Sequence, residues 1–97
     1  MKVLFTPLAQ NDLANIYDYT LEKWGENQLR TYQKTIQNSI DKIKDNPKTY
    51  ASKARNELVK FCRSIRAGKH LLFYVTNEEC ITILRILHES MDFKRHL

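Results

Sequence analysis

The chain has 97 residues, 42% hydrophobic and 28% charged, with a net charge of +5. That length suits one domain that buries roughly 60–70% of its unfolded surface, enough for a core without disulfides. Two Gly and two Pro exclude a collagen-like or low-complexity chain. No apolar run approaches the ~20 residues that cross a bilayer, and the stretch after Met1 and Lys2 is too short for a signal peptide, so a cytoplasmic protein with no membrane contact is expected.

Residues 1–6 read as a short strand ending at Thr6-Pro7, where Thr6 suits an N-cap and Pro7 the first helical position. Leu13, Ile16, Tyr17, Thr20 and Trp24 then mark one apolar helix face, and Gly25 stops the helix. Leu29, Tyr32, Ile36, Ile40 and Ile43 mark a second helix that ends before Asn46-Pro47. The single Gly25 break predicts an antiparallel helical hairpin over residues 7–46. Residues 48–57 show neither period and read as a polar loop. Residues 58–88 then predict a three-stranded meander. Its first strand alternates Val59, Phe61, Arg63 and Ile65 with Lys60, Cys62, Ser64 and Arg66. Gly68 makes a turn into Lys69–Thr76, and Asn77-Glu78-Glu79 leads into Cys80–Leu87. Residues 89–97 form a tail.

This order, β-α-α-β-β-β, predicts a single α+β domain over residues 1–97, with the hairpin packed on one face of an antiparallel sheet. The last two strands are apolar on both faces, although two helices cover only one. The tail, a second copy or a partner chain must cover the other, since uncovered apolar patches mark binding sites. Cys62 and Cys80 fall on outer strands of the meander, too far apart for a disulfide.

The positive charge is uneven. Residues 1–49 carry a net +1 and residues 50–97 a net +4. From Lys48 to Lys69, seven basic residues stand against Glu57 alone. Such a stretch attracts a polyanion or an acidic protein. Arg63 and Arg85 interrupt apolar strand faces, and an arginine at an inward position costs free energy unless paired, with Asp92 or an acidic helix residue as the expected partner of Arg85. In the tail, His88, Asp92 and His96 are spaced i, i+4, i+8 and share a face if the tail is helical. Zinc would further require a competent geometry and an open ligand position, so no metal and no cofactor are expected. His88 could instead take a proton from a ribose 2′-hydroxyl while Arg85 holds the phosphate.

Taken in order, Leu13-Ala14-Asn15-Ile16-Tyr17, Trp24-Gly25, Tyr32, Ile36, Ile40 and Asn46-Pro47 resemble the helical hairpin of ParE toxins, in the RelE/ParE superfamily of bacterial type II toxin–antitoxin systems. The segments Ile65 to Tyr74 and Ile83 to His88, and the ending His88 to Leu97, extend the resemblance over the whole chain. It implies the RelE/ParE toxin fold and a cognate antitoxin whose C-terminal segment wraps the toxin, covering the second apolar face in a hetero-oligomer. It further implies inhibition of DNA gyrase by binding, without catalysis. The alternative it implies is a RelE-like ribosome-dependent endonuclease acting on mRNA, for which Arg85, His88 and His96 are the candidate catalytic residues. No tyrosine follows His88, which departs from the nuclease pattern. Arg63, Arg66, Lys69, Arg85, His88, Asp92, Arg95 and His96 are the candidate target- or antitoxin-binding residues.

Overall fold

The local signals for the two helices act as read. In a computed structural model describing residues 1–97, α1 spans Pro7–Trp24 and α2 spans Glu26–Asp45. The Thr6 hydroxyl accepts the Ala9 N–H at 3.0 Å, and Gly25, at φ 89°, separates the helices. Ile36, Ile40 and Ile43 of α2 are buried, as is Ala9 of α1. Trp24 departs from the expected core face. It is 64% exposed, on the last turn of α1.

The sheet has five strands in the order β1-β5-β4-β3-β2: β1 Lys2–Phe5, β2 Ser52–Ala54, β3 Arg63–Ala67, β4 His70–Thr76 and β5 Cys80–His88. Two expectations are corrected. First, the sheet is mixed rather than antiparallel, since β1 pairs parallel to β5 with Lys2 opposite Cys80 and Phe5 opposite Ile83. The hairpin carries the chain across one face and returns it to the far edge, so β1 and the meander end run the same way. Second, the strand expected from residue 58 begins at Arg63, and the loop expected at 48–57 contributes β2. Residues 58–62 turn instead. Asn56 Oδ1 accepts the Phe61 N–H at 2.9 Å, and the Cys62 N–H donates to Val59 O.

A β-bulge also shifts the phase of β5. Phe73 pairs with Arg85 and Tyr74 with Ile83, which leaves Leu84 as the extra residue. Ile81, Ile83 and Ile86 therefore join the core under the helices, with Ile65, Leu72 and Tyr74, whereas Leu87 faces the other way.

That other face is closed by the chain itself. Cys62, Leu71, Phe73 and Leu87 are buried beneath Leu58, Val59, Phe93 and Leu97. The tail folds as a short 3-10 turn, Phe93–Arg95, and the Phe93 ring packs on Phe73 at a centroid distance of 4.9 Å. The Arg55 guanidinium lies over both rings, 5.8 and 5.5 Å from their centroids, and its Nε donates to Ser64 Oγ at 2.8 Å. The expected cover is thus supplied within the chain, because the 58–62 turn and the tail bring four apolar side chains to this face. Both cysteines are free. No helix is long and apolar enough to cross a membrane.

Candidate functional site

Part of the exposed apolar surface lies on the hairpin. Tyr19 and Trp24 of α1, 58% and 64% exposed, wall a cavity of about 410 Å³ together with Ile16, Thr20, Gln28 and Tyr32. Its floor is the β3–β4 turn, Gly68 and Lys69, with His70 and His88 at the adjoining ends of β4 and β5. That volume lies within the range of small-molecule and side-chain pockets.

Local chain geometry assembles this site. His70 and His88 are register partners across β4 and β5, so their side chains share a face, and their rings meet edge-on with centroids 5.2 Å apart. Gly68 has φ 61°, and a Cβ there would lie 2.7 Å from the Tyr32 ring. Only glycine permits both the turn and the close approach of α2. The Tyr32 hydroxyl bonds to His70 Nδ1, accepts the Lys69 N–H at 3.2 Å and contacts Ala67 O at 3.1 Å. With the proton on Nδ1 the ring donates to the phenol, the phenol donates to the carbonyl, and all three partners are satisfied.

Burial, reinforced by the neighbouring His88, pushes the His70 pKa down, with Glu89 opposing. Burial likewise raises the Tyr32 phenol. Burial thus favours the neutral forms of both His70 and Tyr32. At its rim, Arg66 Nη1 donates to Glu89 Oε1 at 2.7 Å, and this hydrogen bond holds the exposed Glu89 carboxyl below the usual carboxylate range. His88 Nδ1 lies 2.7 Å from Ser90 Oγ.

Of the residues singled out in the sequence, Lys69 and His88 line this cavity and Arg66 flanks it. Arg85 is elsewhere. It meets the expected acidic helix residue, Asp12, with Nε and Nη2 at 2.7 and 2.8 Å, and its Nη1 donates to His96 O at 3.1 Å. Asp12 Oδ2 also accepts the Ile86 N–H at 3.0 Å, in a stretch of β5 beyond the end of β1. Arg63 stands at the opposite end of β3, bonded to Ser52 Oγ and Ser52 O. Asp92 accepts the Lys94 N–H and caps the 3-10 turn, while the side chains of Arg95 and His96 are exposed. The tail is not an α-helix, so the expected shared face of His88, Asp92 and His96 does not form, and no cluster of His, Cys, Asp or Glu is arranged to hold a metal. His70 and Tyr32 were missed as site residues. Tyr32 read only as core, and the available signal for His70 was its place one residue after the Gly68 turn.

Two helices across a five-stranded mixed sheet, with a tail returning under it, define the α+β fold of RelE/ParE-type toxins. A chromosomal ParDE toxin–antitoxin structure from P. aeruginosa aligns with a TM-score of 0.75 at 20% identity, covering 91% of this chain and 95% of that one. A YoeB dimer from Staphylococcus aureus aligns at 0.66 with 18% identity, covering 91% and 95%. The family model for the ParE toxin of the type II toxin–antitoxin system parDE matches residues 3–93, and the chain belongs to that family. It is 38% identical over 97 residues to Toxin ParE1 of Mycobacterium tuberculosis, covering 99% of this chain and 97% of the relative. It is 30% identical over 89 residues to Toxin ParE1 of Caulobacter vibrioides, covering 92% and 90%. The protein is a ParE-type toxin of a type II toxin–antitoxin system.

Proposed function

We propose that residues 1–97 act as one toxin domain that binds and inhibits DNA gyrase in the cytoplasm, and that a cognate antitoxin neutralises it in a hetero-oligomer. The observation that carries this reading is the disposition of Arg85. Its guanidinium is occupied by Asp12 and the tail carbonyl, it does not line the cavity that His88 lines, and His96 is exposed. Of the three residues expected for cleavage, only His88 lines the cavity, and Arg85 meets His96 only through its backbone carbonyl, which favours a surface that binds over one that cuts. The aromatic cavity of Tyr19, Trp24 and Tyr32 offers an anchor point for an apolar side chain of the antitoxin, and the ParDE and YoeB–YefM structures of similar fold pair a toxin with an antitoxin.

Purified protein should block supercoiling by purified gyrase and leave ribosome-bound mRNA intact, and the antitoxin should restore supercoiling. Unaffected gyrase would sink the proposal. One feature favours the second reading, a ribosome-dependent mRNA endonuclease. His70 and His88 are juxtaposed beside Lys69, which places two imidazoles and a cation around one cavity. On that reading the protein cleaves ribosome-bound mRNA and His88→Ala abolishes cleavage.

A further inference from the structure

The turn between β2 and β3 displays an aromatic ring under backbone strain. Phe61 has φ 65°, a left-handed conformation that bulky side chains adopt only when their surroundings hold them there. The Asn56 side chain accepts its N–H, and the Cys62 carbonyl behind it accepts the Arg55 N–H at 2.8 Å. The ring is nevertheless 73% exposed. A strained backbone that presents an apolar ring to solvent, rather than burying it, needs an explanation outside the core.

The surroundings of that ring are cationic and preorganised. Phe61, Asn56, Lys48 and Arg63 line a second cavity of about 360 Å³. Arg63 is fixed by its two bonds to Ser52, at 2.9 Å from Nε and 3.3 Å from Nη2, and it has no carboxylate partner, unlike Arg30, Arg66 and Arg85. Lys60 Nζ lies 5.2 Å from the Phe61 ring centroid, and Lys53 is exposed on edge strand β2.

We propose that this corner is a binding site for single-stranded nucleic acid, with one unpaired base stacked on Phe61 and the flanking phosphates held by Arg63 and Lys48. The planar guanidinium fork suits a phosphate, and every base carries a face that stacks on an aromatic ring. A duplex keeps its bases stacked on one another, and carboxylate side chains would engage the cations without offering the ring a flat face to stack on. Glu57 is the one carboxylate between Lys48 and Lys69, while Glu78 and Glu79 occupy the turn after Thr76. The strand is thus drawn toward Lys48 and Lys53 and repelled from the β4–β5 turn. This inference goes beyond inhibition of gyrase and stands without it.

The test is fluorescence anisotropy of a labelled oligothymidylate of about 12 nucleotides, within the usual span of one such module, titrated with the full chain. Binding should weaken as salt rises, through release of counterions. Phe61→Asn tolerates the left-handed backbone, so the fold should hold by circular dichroism while affinity falls about tenfold for one lost stacked base. Phe61→Trp should restore it. Arg63→Gln should weaken binding and lower the salt slope by about one ion. Lys44→Gln, on α2, should change little. Absence of binding at low salt would overturn the proposal, as would equal losses in Phe61→Asn and Lys44→Gln. Equal competition by an oligoglutamate of matched length would assign the corner to acidic polypeptides instead. Supercoiling assays on the same samples keep the gyrase proposal separately testable.

Discussion

The two faces of the sheet are covered by different kinds of structure. Under the helices, Ile36, Ile40, Ile43, Ile65, Leu72, Tyr74, Ile81, Ile83 and Ile86 form one continuous core held by long regular elements. On the reverse, four buried residues lie beneath an irregular turn and a tail with one short 3-10 segment. Helices anchor many side chains through a single backbone geometry, whereas the reverse face relies on individual contacts such as Phe93 on Phe73. The hairpin layer should therefore set global stability, and the tail layer should open locally at lower free energy. Arg85 joins the two at the sheet edge, through Asp12 on the helix side and the His96 carbonyl on the tail side.

Four measurements sharpen that contrast. Ile43→Ala, at a fully buried site under the helices, should cost about 3–4 kcal/mol in denaturant unfolding. Asp12→Ala should cost about 2–3 kcal/mol, because it strands the Arg85 charge in a pair whose side chains are 16% and 12% exposed, and the Ile86 N–H with it. It should also raise hydrogen exchange in both layers. Phe93→Ala should cost only about 1–2 kcal/mol, with faster exchange confined to residues near the tail. A loss equal to that of Ile43→Ala would mean that the two layers unfold as one.

The smallest effect concerns pH. The folded protein lowers the His70 pKa below its unfolded value of 6.5, mainly by burial. The neutral ring is favoured in the fold, so this contribution is fully present above pH 6.5 and is lost as pH falls toward the lower folded pKa. A melting-temperature profile should decline on acidification below that point, and His70→Asn should flatten the decline. An unchanged profile would show that another group is responsible.

The hairpin was legible because proline, glycine and threonine fix its ends locally and its apolar period runs for many turns. The sheet was legible only in outline. Periodicity reports which residues share a face but not the direction of a neighbouring strand, so the parallel pairing of β1 was invisible. The Leu84 bulge exchanged Leu87 for Ile86 under the helices, a one-residue shift that alternation does not record. Residues 58–62 imitate a strand in composition, yet the Asn56 side chain and the left-handed Phe61 turn them. On the reverse face the tail, one of the three expected covers, does the covering, but the share taken by the 58–62 turn was hidden for the same reason. At the candidate site, Lys69 and His88 were named from charge and position. Their partners Tyr32 and His70 depend on a contact across 38 residues, which no local pattern encodes.

The parallel pairing of β1 with β5 has a temporal consequence. Lys2 finds its partner only at Cys80, and the Thr6 hydroxyl donates to the Leu84 carbonyl 78 positions later. During synthesis, the first strand stays unpaired until residues 80–83 have been made. A chain cut short before β5 lacks the strand on which its own beginning docks, and leaves the Thr6 hydroxyl without its carbonyl partner.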